Sequence, residues 1–168
     1  IATLAWNGYR HLELYYAISG IGAVCHTINP RLSSDQLTYI VNHAEDLLLF
    51  VDLTFVPILE AVKDRLPLEM KIIILTDKKH MPKTSLKSMC YEELLKDKPQ
   101  KINWPDFNED TAASLCYTSG TTGEPKGTLY SHRSTVLHAM MLAISLPNAL
   151  KEGKKILPVV PLFHVNAW

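Results

Sequence analysis

Little in this 168-residue chain marks it for a specialised class. Cysteine is scarce: Cys25, Cys90 and Cys116 are odd in number, far apart and without a CxxC pair. That argues against a disulfide framework or a cysteine zinc site and fits a reducing compartment. Neither sign of charge is in excess, with 17 Lys plus Arg against 17 Asp plus Glu. A nucleic-acid binder needs a basic field to displace counterions, so no nucleic-acid partner is expected. Long apolar runs are missing too. Residues 47–51 are strongly apolar but Asp52 ends them, so no transmembrane segment is expected, and no charged-then-apolar signal pattern is present. Peripheral membrane contact is left open. HExxH, GxSxG and GxGxxG are absent, which removes the simplest zinc-peptidase, hydrolase and dinucleotide readings. Histidines are scattered: His11, His43, His80 and His138 stand apart, and His26 beside Cys25 has no partner at catalytic or metal spacing. No metal site is expected.

What is present is an alternation. Apolar residues make up 47% and charged residues 20%, a globular balance. A chain of this length buries roughly 70% of its unfolded surface. Apolar periodicity switches repeatedly between two and three-to-four residues. Residues 1–6 read as a buried strand, 9–19 as a helix and 23–28 as a second strand. Ser33 with Gln36 forms a capping-box pattern, after which Leu37, Ile40, Val41 and Ala44 mark one helical face. Residues 47–51 make a continuous buried strand. Thr54 and Pro57 open a helix with Phe55, Ile58, Leu59, Val62 and Leu66 inside, and 72–75 complete the third βα repeat. Such alternation predicts an α/β fold, layered, with mostly parallel βα sheets. From 76 to about 110 the signal weakens to lysines, prolines and one short helix near 91–96, a surface connection or a subdomain seam. Strand character returns over 111–117, and a short strand follows at 128–130. Ser131 then caps a helix to about residue 146, and 155–160 read as a last strand. The expected organisation is a βα-repeat subdomain over 1–110 and a loop-bearing subdomain over 111–168. The chain opens without methionine inside a strand and stops inside an apolar motif, so it reads as part of a longer polypeptide.

Residues 117–127, Tyr-Thr-Ser-Gly-Thr-Thr-Gly-Glu-Pro-Lys-Gly, carry the chemistry. Glycine permits the φ > 0 geometry in which successive backbone N–H groups converge on one point. The hydroxyls of Thr118, Ser119, Thr121 and Thr122 add donors, and Lys126 adds a mobile positive charge. Polyphosphate oxygens accept such charge-assisted bonds, each contributing about 1.5–3 kcal/mol. The loop is not a Walker A motif. That pattern needs a glycine directly before the lysine and Ser or Thr directly after it, whereas Lys126 lies between Pro125 and Gly127. A linker of small polar residues is the plainer alternative, and Pro-Lys-Gly between two strand-like segments speaks against it. Glu124 reads as solvated.

This segment resembles the phosphate-binding signature of the adenylate-forming superfamily: acyl-CoA synthetases, luciferases and peptide-synthetase adenylation domains. Residues 161–168, Pro-Leu-Phe-His-Val-Asn-Ala-Trp, resemble its acyl-site motif, in a form most like that of medium- and long-chain fatty acyl-CoA synthetases. Residues 22–32, Gly-Ala-Val-Cys-His-Thr-Ile-Asn-Pro-Arg-Leu, are similar to an early segment of the same enzymes. The resemblance runs from end to end of the chain, in order. It implies the large N-terminal AMP-binding domain, incomplete here and without its C-terminal domain, of an ATP-dependent fatty acid–CoA ligase. Such an enzyme forms an acyl-adenylate with release of pyrophosphate, then an acyl-CoA thioester. ATP, Mg²⁺, coenzyme A as cosubstrate, a fatty acid substrate and a cytoplasmic or membrane-peripheral location are implied with it; a homodimer is left open.

By the same resemblance, Thr118, Ser119, Gly120, Thr121, Thr122, Gly123 and Lys126 would grip the β- and γ-phosphates. His164 would line the wall between adenylate and acyl pocket rather than catalyse. Trp168 would either gate an acyl tunnel or be one more aromatic in an apolar segment. His132 and Arg133 belong to the helix start behind the loop, and Thr128 stands where the family more often has an aliphatic residue. No catalytic residue is assignable. The adenine and ribose contacts, the magnesium-binding glutamate, the hinge and the catalytic lysine all come later in the family, so the chain alone is not expected to catalyse adenylation. Three rivals stay open: an adenylate-former serving an aryl acid, an amino acid or a carrier protein; a non-catalytic nucleotide-binding fragment; and a Rossmann oxidoreductase, which shares only the alternation.

Overall fold

Short apolar runs build the middle of a single sheet. The computed structural model describes residues 1–118, 124–148, 151–157 and 159–164. Strands β1 (Ala2–Leu4), β2 (Cys25–Thr27), β3 (Leu48–Val51) and β4 (Lys71–Ile74) lie parallel to their neighbours. Strand β5 (Ser88–Cys90) adds in parallel at one edge, beside β4. On the other side β6 (Ala112–Thr118) runs parallel to β2, and β7 (Lys126–Ser131) closes antiparallel on β6. The order is β5-β4-β3-β1-β2-β6-β7, so one mostly parallel sheet runs through both 1–110 and 111–168. This is the α/β class that the alternation predicts.

Among the described residues four α-helices connect the strands, α1 (Tyr9–Gly20), α2 (Ser34–His43), α3 (Val56–Val62) and α4 (Tyr91–Leu95), and α5 (His132–Ser145) follows β7. Helix α2 starts as its sequence predicts. The Ser33 hydroxyl accepts from the Gln36 N–H at 3.2 Å, and the Gln36 side chain accepts from the Ser33 N–H at 3.1 Å. It ends on Glu45 at φ 53°, with the N–H groups of Glu45 and Asp46 returning to the carbonyls of Asn42 and Val41. Helix α1 ends on the same paired bonds with Gly22 at φ 77°, where glycine meets no steric cost.

Successive strand residues face opposite ways, so β4 feeds two cores. Ile72 and Ile74 pack with Leu37 and Ile40 of α2 and Leu59 and Val62 of α3, whereas Ile73 packs with Leu14 and Ile18 of α1 and Tyr91 of α4. Each such side chain contributes about 1.5–3 kcal/mol by leaving water. Helix α5 differs. Ser131 caps it by accepting from the Ser134 N–H at 3.1 Å, yet none of its residues is buried.

Two expectations change. Ser88–Cys90, read as surface connection, is a strand, because the free edge of β4 supplies a ladder that three residues cannot announce by period. Residues 155–160, read as a last strand, form none among the described residues. Ile156, Leu157 and Val159 are exposed and make no ladder with any described strand, and β propensity without a partner edge yields no strand. Among the described residues no helix is long and apolar enough to cross a membrane.

Candidate functional site

Open parallel sheets bind ligands beyond the carboxyl ends of strands, where neighbours send their chains in opposite directions. Here β1 leads to β2 on one side, while its neighbour β3 leads to β4 on the other. That end of the sheet carries the turn after β1 with Trp6 and Asn7, Asp52 after β3, and the loop after β6.

Thr118 ends β6, Lys126 begins β7, and the two are direct partners across the antiparallel ladder. The glycine-rich stretch therefore closes a hairpin, with an exposed hydroxyl and an exposed ammonium at its mouth. Ser119, Gly120, Thr121, Thr122 and Gly123 lie outside the described residues. Of the loop's last two residues, Glu124 is exposed, as expected, and Pro125 is buried.

One rung below, Tyr117 faces Gly127. A Cβ at Gly127 would lie 3.1 Å from Leu115 Cδ1 and 3.3 Å from Tyr117 Cζ, so glycine lets the tyrosine ring cross the ladder. The Tyr117 hydroxyl lies 2.7 Å from His43 Nδ1, and its ring centroid lies 5.2 Å from that of His26. Burial, and then the nearby Asp46 charge, raise the Tyr117 phenol above its ordinary pKa. His26 Nδ1 donates to Asp46 Oδ2 at 2.6 Å, and both residues are buried. The expectation that His26 stands alone is thus corrected. The left-handed turn at Glu45 swings Asp46 back beneath β2, and a separation of 20 residues hides the pair from any motif. Next to it, burial pushes the Cys25 thiol up to about 12, which leaves it inert.

The apolar segment that ends the described chain docks on the same end of the sheet. Asn7 Nδ2 donates to the Val160 carbonyl at 3.3 Å, and Asn7 Oδ1 accepts from the Leu162 N–H at 2.7 Å. Thr27 Oγ1 donates to the Phe163 carbonyl at 3.2 Å, and Leu162 and Phe163 are buried. His164 is exposed, its N–H closing a turn onto the Pro161 carbonyl at 2.9 Å. Trp168 lies outside the described residues. Thr27 is also the sheet partner of Cys116, just before Tyr117 and Thr118, so hairpin and docked segment are neighbours.

Asn7 and Asp46 carry this geometry, and nothing in their local sequence points to them. Asp52 accepts from the Trp6 N–H at 2.7 Å, and partial burial raises its carboxyl pKa against that bond. The His132 ring lies tilted against that of Phe107 with centroids 4.7 Å apart, and Arg133 pairs with Glu109, so both belong to the helix start as expected. Among the described residues no three His, Cys, Asp or Glu side chains gather as a metal set.

Known proteins resemble this chain along its whole length. The chain is 51% identical over 168 residues to a medium-chain-fatty-acid–CoA ligase of Ectopseudomonas oleovorans, covering 99% of this chain and 31% of that protein. It is 50% identical over 169 residues to a 3-methylmercaptopropionyl-CoA ligase of Ruegeria lacuscaerulensis, covering 100% of this chain and 31% of that protein. The chain thus spans about three-tenths of the length of these relatives. A solved long-chain-fatty-acid-CoA ligase of Archaeoglobus fulgidus superposes with a TM-score of 0.76 over 97% of this chain and 30% of its own. At 20% identity that likeness shows the fold alone. The model of the AMP-binding enzyme family matches residues 1–168, and the chain belongs to that family.

Proposed function

We propose that the protein containing this chain is an ATP-dependent fatty acid–CoA ligase, and that the hairpin mouth holds the ATP phosphates. The observation that carries this reading is the pairing of Thr118 with Lys126 at the carboxyl end of the sheet. It keeps a hydroxyl and an ammonium on opposite sides of one donor-rich loop. A carboxylate attacking the α-phosphate brings two anions together, so their repulsion must be offset while pyrophosphate departs. Lys126, with Thr118, Ser119, Thr121 and Thr122, supplies that offset in this reading, and Gly120 and Gly123 let backbone N–H groups approach.

The acyl chain would lie toward 161–168, with His164 in its lining and Trp168 beyond. Identity of 51% to a medium-chain-fatty-acid–CoA ligase supports an alkyl acid, and coenzyme A would take the acyl group in the second step. Mg²⁺ would enter with the ATP phosphates and offset part of their charge. Cys25, Cys90 and Cys116 are all free, which supports a cytoplasmic location. In this reading residue 110 marks where the βα repeats give way to the part that carries the loop, within one continuous sheet. A second reading rests on the 50% identity to the 3-methylmercaptopropionyl-CoA ligase: a short thioether acid in the same place.

The test is exchange of labelled pyrophosphate into ATP by the full-length protein. Acids would run from acetate through octanoate to palmitate, beside 3-methylmercaptopropionate, an aryl acid and amino acids. Exchange should rise with alkyl length, and Lys126→Ala should cut it by about a hundredfold. Highest exchange with the thioether acid selects the second reading, and none with any acid sinks both.

A further inference from the structure

We infer that Asn7 is a positioning residue for the acyl side of the site, clamping residues 160–162 and hence the segment that carries His164. What that segment binds rests on the ligase reading above; the clamp itself rests on geometry.

Residues 160–163 belong to no strand, so their backbone groups have no ladder to satisfy them. Side chains do it instead. Asn7 donates to the Val160 carbonyl and accepts from the Leu162 N–H, at 3.3 and 2.7 Å, across 153 and 155 residues of sequence. A primary amide presents N–H donors and a carbonyl acceptor side by side in one plane, so Asn7 can serve a carbonyl and an N–H of the same segment and supplies a single rung of a ladder that is otherwise missing. Aspartate has no donor for the carbonyl, alanine has neither group, and glutamine carries both on a longer arm. The Thr27 hydroxyl adds a bond to the Phe163 carbonyl from the end of β2, and the Trp6 ring lies 6.2 Å from that of Phe163.

Asn7 is itself held by its surroundings. The Trp6 N–H donates to Asp52, and its indole N–H donates to Thr54 Oγ1 at 3.0 Å. The Trp6 carbonyl can only accept, so His11 Nδ1 donates to it at 3.1 Å, and the Thr3 hydroxyl then donates to His11 Nε2 at 3.0 Å. These bonds, anchored on the buried Thr3 and His11, fix the turn from which Asn7 reaches out. Asn7 is exposed and fills no core volume, so replacing it acts on the docked segment and leaves the fold intact.

In the full-length protein, Asn7→Ala should raise the KM for the fatty acid roughly tenfold, with the KM for ATP and the melting temperature unchanged. Asn7→Gln should recover part of the loss. An unchanged KM for the acid overturns the inference, as does a rise shared equally with ATP or a fall in melting temperature. Hydrogen exchange at the Leu162 amide reads the clamp without turnover. Asn7→Ala should speed it about tenfold, and unchanged protection overturns the inference whichever acid the protein activates. Faster exchange in a protein that activates no acid upholds the clamp and sinks the ligase reading instead.

Discussion

The two flanks of the sheet are built from equally apolar sequence and end in different states. From β1 to β4 the strands are covered on both faces, and Leu49, Val51, Ile73 and Ile74 are buried between α2 and α3 on one side and α1 and α4 on the other. Beyond β2, Leu129 of β7 and Leu137, Met140 and Ile144 of α5 are exposed. Composition does not separate them. What separates them is whether the chain supplies a second layer. The covered flank provides the rigid floor, while the open flank carries the hairpin whose mouth Thr118 and Lys126 form. Stability and the candidate site are therefore concentrated in different parts of one sheet.

The contrast breaks most directly by truncation. In the 168-residue chain, Leu49→Ala should cost about 3 kcal/mol, whereas Met140→Ala should cost about 0.5 kcal/mol or less, both read by urea unfolding. Equal losses would mean that α5 packs as tightly as the core. Next in size is the seam between the flanks. Asp46→Ala strips the buried His26 of its carboxylate and should cost about 1–3 kcal/mol, with a change in the fluorescence of Tyr117, whose ring lies 5.2 Å from that of His26.

Acid should act on the covered flank through His11. Burial, opposed by its bond to the Trp6 carbonyl, lowers the His11 pKa from 6.5. The folded state therefore prefers the neutral ring. The stability this brings is present above the ordinary histidine value and lost as pH falls through it toward the lowered folded value. Thermal melts from pH 7.5 to 5 should show that slope in the parent chain and a flatter one in His11→Gln. The smallest effects concern the two helix ends. Gly22→Ala forces a Cβ into the left-handed region, 3.1 Å from Phe107 Cδ1, and should cost about 1 kcal/mol or more. Glu45→Gly relieves the same strain at the end of α2 and should gain about 0.5–1 kcal/mol, a sign difference that paired melts would read.

Signals that act within one turn of chain were legible from sequence. Ser33 with Gln36 and Ser131 before α5 did what their local chemistry predicts. The runs at β3 and β4 form strands, but β3 alternates in burial and Leu47 is exposed where the apolar run predicts a continuous buried strand. The two residues that flank the glycine loop, Thr118 and Lys126, stand where a hairpin would put them, while the donors between them lie outside the described residues. Residues 155–160 misled because an apolar run states only that it needs a partner, and β5 was hidden because its partner is the edge of β4. His164 stood out by its motif as an expected lining residue, whereas nothing in the local sequence marked Asn7, which bonds the backbone of Val160 and Leu162.

Sequence by itself determined the helix starts, the apolar strands, the balance of charge and the donor-rich loop, because each depends on residues a few positions apart. Only the tertiary structure decided that His26 meets Asp46, that Tyr117 crosses over Gly127, and that Asn7 reaches Val160 and Leu162. Those contacts join groups distant along the chain. Their free energy exists only once the sheet has met the entropy of bringing them together.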